Sequence, residues 1–166
     1  MDAMVFGIGI KGASLVGASN PHDMQAEAEA VAVQVEAQDG SNSQNGQVIN
    51  LIVGRKIAEV DLPGMPHLGS GITWPYQDTI VLASPNLKEG VVSIIDTRTW
   101  KTIKKIDTDG PGFFMRSHEN SRYAWVDVYF GPHRDAVHVI DKATLEIVKT
   151  LRPAPGKIAA HVEFTR

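Results

Sequence analysis

Apolar and polar positions alternate along much of this chain in short runs separated by polar turns, a two-residue period that predicts strands. Val91–Ile106 reads VVSIIDTRTWKTIKKI and Ala136–Leu151 reads AVHVIDKATLEIVKTL. Each is a β-branched strand ending in Ile-Asp, a polar turn closed by Thr, then a second alternating strand. Asp96 and Asp141 stand 45 residues apart, as do Thr99 and Thr144. A weaker copy, QVINLIVGRKIAEVDL, spans Gln47–Leu62; it puts Val53 at the Asp position and has a shorter turn. Between the copies, GITWPYQDTIVLAS (Gly71–Ser84) and GFFMRSHENSRYAWVDVYF (Gly112–Phe130) each read as a short strand, a polar turn and another strand.

Four strands per repeat of this length predict an all-β chain built of β-propeller blades, about three to four of them. The Asp96 and Asp141 carboxylates are expected to accept amides two residues on, which fixes the hairpin that follows. Residues 47–166 hold the regular blades, and 1–46 form a divergent segment. Within it, Ala26–Ala37 alternates from Val31 as a strand does, with helix as the competing reading because Ala and Glu favour it. Residues 39–46, DGSNSQNG, are expected to be a solvated loop. The final HVEFTR reads as an inner strand whose partners would follow. That count does not close a ring, so the expectation is a piece of a longer propeller, or a half-ring completed by self-association.

Composition narrows the chemistry. The 166 residues carry a formal charge of -3, with no basic excess to attract nucleic acid. Cys is absent, which excludes disulfides, thiolate metal sites and the Cys-x-x-Cys-His attachment of a c-type haem. No apolar run is long enough to span a bilayer as a helix. The apolar start has no basic leader and is interrupted by Lys11, which does not match a secretory signal. Gly7-x-Gly9-x-x-Gly12 has the spacing of a dinucleotide fingerprint, but no β-α-β unit follows it.

Three stretches are more specific: PGMPHLGSG (Pro63–Gly71), GPGFFMRSHENSRYAWVDVYFGP (Gly110–Pro132) and LEIVKTLRPAPGKIAAHVEFT (Leu145–Thr165). Together they resemble the C-terminal part of the haem d1 propellers of cytochrome cd1 nitrite reductases and of related haem d1 biosynthesis and transport proteins. The resemblance implies haem d1 as cofactor and a periplasmic location. It also implies two distal histidines facing the iron, one of them in a Pro-His-x-Gly-x-Gly loop. That loop is Pro66-His67-Leu68-Gly69-Ser70-Gly71 here, so His67 inherits the role, and Gly69 and Gly71 allow close approach to a flat macrocycle. His22, in Pro21-His22-Asp23, stands 45 residues earlier and is the second candidate. The family's proximal ligand and cytochrome c domain have no counterpart in this chain.

A protonated imidazole pair above haem d1 would hold nitrite and supply protons for its reduction to nitric oxide. The first functional expectation is therefore a haem d1-binding segment of nitrite-reductase type, with nitrite or haem d1 as ligand. The alternatives are a non-catalytic haem d1 carrier or maturation protein, and a plain YVTN-like propeller that only binds a partner. His161 and Arg116 are further cofactor-binding candidates, His161 by opening an inner strand and Arg116 as a partner for carboxylates. Arg152 has the same chemistry, with a surface ion pair as the plainer role for both arginines. His118, His133 and His138 read as structural or solvated, and Trp74 and Trp125 as core.

Overall fold

Where a strand is apolar on both faces it must be covered on both, and that requirement organises the molecule. The computed structural model of the chain describes residues 5–6, 31–35, 45–50, 54–62, 65–67 and 70–164. It contains twelve strands in chain order: β1 Val5–Phe6, β2 Val31–Val35, β3 Asn45–Asn50, β4 Arg55–Asp61, β5 Ile72–Tyr76, β6 Thr79–Pro85, β7 Val91–Asp96, β8 Lys101–Asp107, β9 Met115–Ser117, β10 Tyr123–Asp127, β11 Val137–Asp141 and β12 Glu146–Leu151. These form three four-stranded antiparallel sheets, β1–β4, β5–β8 and β9–β12, each a meander in sequence order. This is the blade architecture read from the repeat, with the ring left open. Among the described residues there is no α-helix, and the strand from Val31 is present.

The blades stack face to face. Val81, Ala83, Val92 and Ile94 of the middle sheet pack with Met115, Ala124, Val126 and Ile140 of the last. From the opposite face of the middle sheet, Leu82, Ile95 and Trp100 meet Val48, Val60 and Leu62. Alternation thus sends neighbouring residues of one strand into two different cores, and β7 and β11 are buried along their whole length. Trp74 is core, as its composition predicts, and its indole N–H donates to the Lys142 carbonyl in the next blade at 3.2 Å.

The third-to-fourth strand hairpins repeat in detail. A β-bulge interrupts the pairing at Val48/Ile49, at Ile94/Ile95 and at Val139/Ile140. A residue with positive φ closes each turn: Gly54 (62°), Trp100 (55°) and Leu145 (57°). The Trp100 and Leu145 amides donate to the carbonyls of Asp96 (2.7 Å) and Asp141 (2.9 Å). As expected, the carboxylates accept amides two residues on, Arg98 to Asp96 and Ala143 to Asp141, both at 2.8 Å.

Three expectations need correction. The residue at the Asp position of the first hairpin is Asn50, not Val53. Asn50 pairs with Arg55 as Asp96 does with Lys101, so the turn is the same length. A side-chain carbonyl suits that turn as well as a carboxylate, so Asn50 fills the place that the alignment had given to Val53. Asn45 and Gly46 extend β3 by pairing with Asp61 and Val60 and so do not belong to the polar loop; residues 39–44 of that loop lie outside the described residues. Finally, His161–Phe164 is not a strand. It lies along the open face of the last sheet, where Phe164 meets Trp125 edge-on at 5.0 Å.

Candidate functional site

In each meander the connection between second and third strands emerges at the same end as the connection between blades. The β4–β5, β6–β7, β8–β9 and β10–β11 connections therefore share one end, and the chain after β12 joins them. Backbone bonds tie these connections together. The amides of His67 and Leu87 donate to the carbonyls of Pro85 and Met65, both at 2.8 Å. Tyr129 donates to Pro111 at 2.9 Å and Ala159 to Arg134 at 2.9 Å. Buried Asn86 accepts the amides of Met65 (3.2 Å), Lys88 (2.8 Å) and Glu89 (3.0 Å) on one oxygen, which anchors the segment carrying His67.

His67 lies between β4 and β5, as its sequence position predicts. Its Nδ1 is 2.6 Å from the Phe113 carbonyl and 2.5 Å from the Ser70 hydroxyl oxygen. Ser70 also donates to that same carbonyl. A carbonyl lone pair at this distance requires a hydrogen on Nδ1, so in the neutral ring Nε2 is the basic nitrogen. The ring packs against Phe113 with centroids 4.1 Å apart. Phe113 in turn contacts Phe114 (4.5 Å) and Tyr129 (5.1 Å), and Tyr129 contacts Phe130 (4.9 Å). Phe130 keeps 41% of its surface exposed, so this aromatic cluster opens to solvent at the loop end.

Beneath the cluster sits Asp127, the last residue of β10 and 1% exposed. Its Oδ1 accepts the amides of Phe113 (2.7 Å) and Phe114 (3.0 Å), while Oδ2 is buried with no hydrogen-bond partner. Burial pushes the carboxyl above the usual range, opposed by those amides and by nearby His161. The turn can sit this close because residue 112 is glycine: a Cβ there would lie 2.7 Å from the Asp127 carbonyl oxygen.

His161 stands on the other side of the phenylalanine pair, edge-on to Phe114 at 4.4 Å. Its φ of 63° reflects a sharp bend and not the strand expected. The Arg116 guanidinium lies 3.2 Å from its Nε2, and Glu163 lies 3.3 Å from its Nδ1. His67, His161 and Arg116 thus gather around Phe113 and Phe114, and Gly71 enters β5 half-buried nearby. His22 and Gly69 lie outside the described residues. Arg152 is held by Asp135, with Asp109 3.7 Å away.

The remaining histidines follow their plainer readings. His118 is in the β9–β10 turn at the opposite end, and His133 is exposed. His138 is buried; its Nδ1 is 2.8 Å from the Thr150 hydroxyl and its Nε2 accepts the Asp109 amide at 3.1 Å. Sequence reasoning passed over Asn86, Ser70, Phe113, Phe114 and Asp127. A carboxylate closing an apolar strand, in AWVDVYF, was the one available signal.

No group of three or more metal-ligating side chains occurs among the described residues. The donor set at the loop end suits a different ligand. Apolar ring faces beside an imidazole, with guanidinium groups close by, fit a flat conjugated macrocycle bearing carboxylates.

Comparison with known proteins agrees. A model of the cytochrome D1 heme domain matches residues 23–166. The dihydro-heme d1 dehydrogenase of Pseudomonas aeruginosa is 55% identical over 129 residues, covering 76% of this chain and 26% of that protein. Protein NirF of the same organism is 35% identical over 112 residues, 68% of this chain and 27% of that protein. The chain therefore spans about a quarter of the length of either relative. Among solved structures, dihydro-heme d1 dehydrogenase NirN in complex with DHE superposes with a TM-score of 0.77 at 50% identity, over 81% of this chain and 28% of that one. Hydrazine synthase of Kuenenia stuttgartiensis shares the fold alone, at TM-score 0.57 and 19% identity over 72% of this chain and 32% of that one. From its blades, its loop-end aromatic site and these similarities, the chain belongs to the cytochrome d1 heme-domain family.

Proposed function

We propose that this chain is a haem d1-binding propeller segment of the maturation type, acting on dihydro-haem d1 or its product in the periplasm. The observation that carries the reading is the seat of His67: Nδ1 held by the Phe113 carbonyl, Nε2 basic, aromatic faces alongside. The similarity to a dihydro-heme d1 dehydrogenase favours the maturation alternative over the nitrite reduction first expected, and favours a catalytic form of it where a non-catalytic one was expected.

Dehydrogenation of a bound dihydro-haem d1 would release two electrons to an external electron-transfer protein and two protons, one to His67 and one to solvent. The chain's own part is to bind, orient and accept a proton. Phe113, Phe114, Tyr129 and Phe130 supply a sequence-local apolar surface for a flat ligand. Arg116 and His161 supply charge for its carboxylates. His67 takes a proton at Nε2, and the resulting imidazolium is stabilised by the carbonyl at Nδ1.

Absorbance titration of the full chain with haem d1 and with dihydro-haem d1 tests the reading. Saturable spectral change is expected with both. No change with either would sink it, and nitric oxide production from nitrite with an electron donor would restore the nitrite-reductase reading instead.

A further inference from the structure

Asp127 has an unusual position for a carboxylate. It is 1% exposed, it closes an interior strand, and it has no cation within hydrogen-bond reach of either oxygen among the contacts of the described residues. Burying such a group costs free energy unless its bonds return something. The short side-chain bonds of Oδ1 go to one place, with the His161 backbone N–H a further group that favours the charged carboxyl. Oδ1 receives the Phe113 and Phe114 amides, and its own backbone N–H donates to the Phe114 carbonyl at 3.2 Å. The Phe113 peptide is thereby clamped from the β10 side, and the Phe113 carbonyl is the atom that meets His67 Nδ1 at 2.6 Å. Asp127 and His67 are 60 residues apart in sequence and belong to different blades, yet one peptide group joins them.

Resting on the function proposed above, we infer that Asp127 is the positioning residue for His67: by clamping the Phe113–Phe114 amides it aims the Phe113 carbonyl at Nδ1, which fixes the imidazole tautomer and the direction of Nε2. A hydrogen bond that selects the tautomer of a functional imidazole is an outer partner of the kind that sets basicity and orientation. Asp127 acts here through a backbone carbonyl and touches neither the ring nor the ligand.

Two properties separate this role from a merely structural one. The bond asked of Oδ1 is acceptance from two amides, which a carboxamide oxygen performs equally well. Asp127→Asn should therefore keep the wild-type tautomer of His67, at some cost in stability because a buried NH2 replaces Oδ2, whereas Asp127→Ala should not keep it. The readout is the ¹⁵N spectrum of the His67 ring in the full chain, assigned by the resonances lost in His67→Ala. Wild type and Asp127→Asn should show a protonated Nδ1 and a pyridine-type Nε2. Asp127→Ala should show averaging of the two nitrogens, with turnover of dihydro-haem d1 down about tenfold.

A wild-type ring protonated at Nε2, or a folded Asp127→Ala with the wild-type pattern, would overturn the inference. If Asp127→Ala does not fold, wild type and Asp127→Asn decide alone: a retained Nδ1–H tautomer in both supports the clamp, and a changed tautomer in Asp127→Asn ends it. The tautomer is read without ligand. Failure of haem d1 to bind wild type would therefore remove the proposed function and leave the clamp standing.

Discussion

The two ends of these blades are built on opposite plans. At the hairpin end the same device recurs: an Asp or Asn at the last position of the third strand, a positive-φ residue closing the turn and a bulge two residues before the strand ends. At the loop end no two connections are alike among the described residues. One carries His67, another the Phe113–Phe114 turn, another Tyr129 and Phe130, and another His161. Repetition marks what every blade needs, and its loss marks what only this molecule needs. The regular end is scaffold, and the irregular end holds the candidate site.

Substitutions can pull that contrast apart. The largest effect is expected from His67→Ala, which should lower turnover of dihydro-haem d1 by about 10²–10⁴-fold, the usual worth of a general base. Haem d1 affinity and melting temperature should change little. Equal losses in affinity and turnover would make His67 a binding group and nothing more. Next is Ile94→Ala. Ile94 is fully buried where the middle and last sheets meet, so truncation should cost about 2–5 kcal/mol in urea unfolding. That variant should weaken both ends together. Loss of ligand binding without loss of stability would contradict a shared core.

Asp141→Ala tests the hairpin end by itself. Arg122 hydrogen-bonds Asp141 Oδ2, and that contact, with the Ala143 amide, holds the carboxyl below its usual range. The lowered value makes the stabilisation fully present above the ordinary carboxylate value of 3.8 and lost as pH falls below it. The variant should melt earlier at neutral pH, lose less on acidification than wild type and titrate with haem d1 unchanged.

The smallest effect is expected from His138, at the loop end but outside the site. Burial holds this imidazole below its ordinary value of 6.5. An unfolded chain then binds the proton more readily than the folded one, so stability is full above that value and declines as pH falls through it. His138→Phe should flatten that part of the stability profile. An unchanged slope would mean the acid sensitivity arises elsewhere.

The scaffold was legible in the sequence because each of its signals is local. Alternation, Ile-Asp and the turn residues can all be read within one hairpin, and the repeat spacing multiplies the evidence. Asn50 shows the limit, since the weaker copy was aligned with Val53 at the Asp position when the physical requirement was a side-chain carbonyl. The site was legible only where one segment carries its own signature, as PHLGSG does. Asp127 and Phe113 matter through contacts with a histidine in another blade, and no window along the chain contains both partners. His161 was read as opening a strand, whereas its backbone bends at a φ of 63° and its ring meets Phe114 edge-on.

The register of the repeated bulge also bears on how such a chain could change its size. Bulges at Ile94/Ile95 and Val139/Ile140 fall 45 residues apart, and the fourth strand of each blade leads to the first strand of the next. A tandem copy cut at the same point of the second and third blades would therefore rejoin in phase, with the strand side chains still facing their proper neighbours. Genes of this kind can lengthen or shorten by unequal recombination in whole modules, while the unrepeated end is free to diverge in each copy.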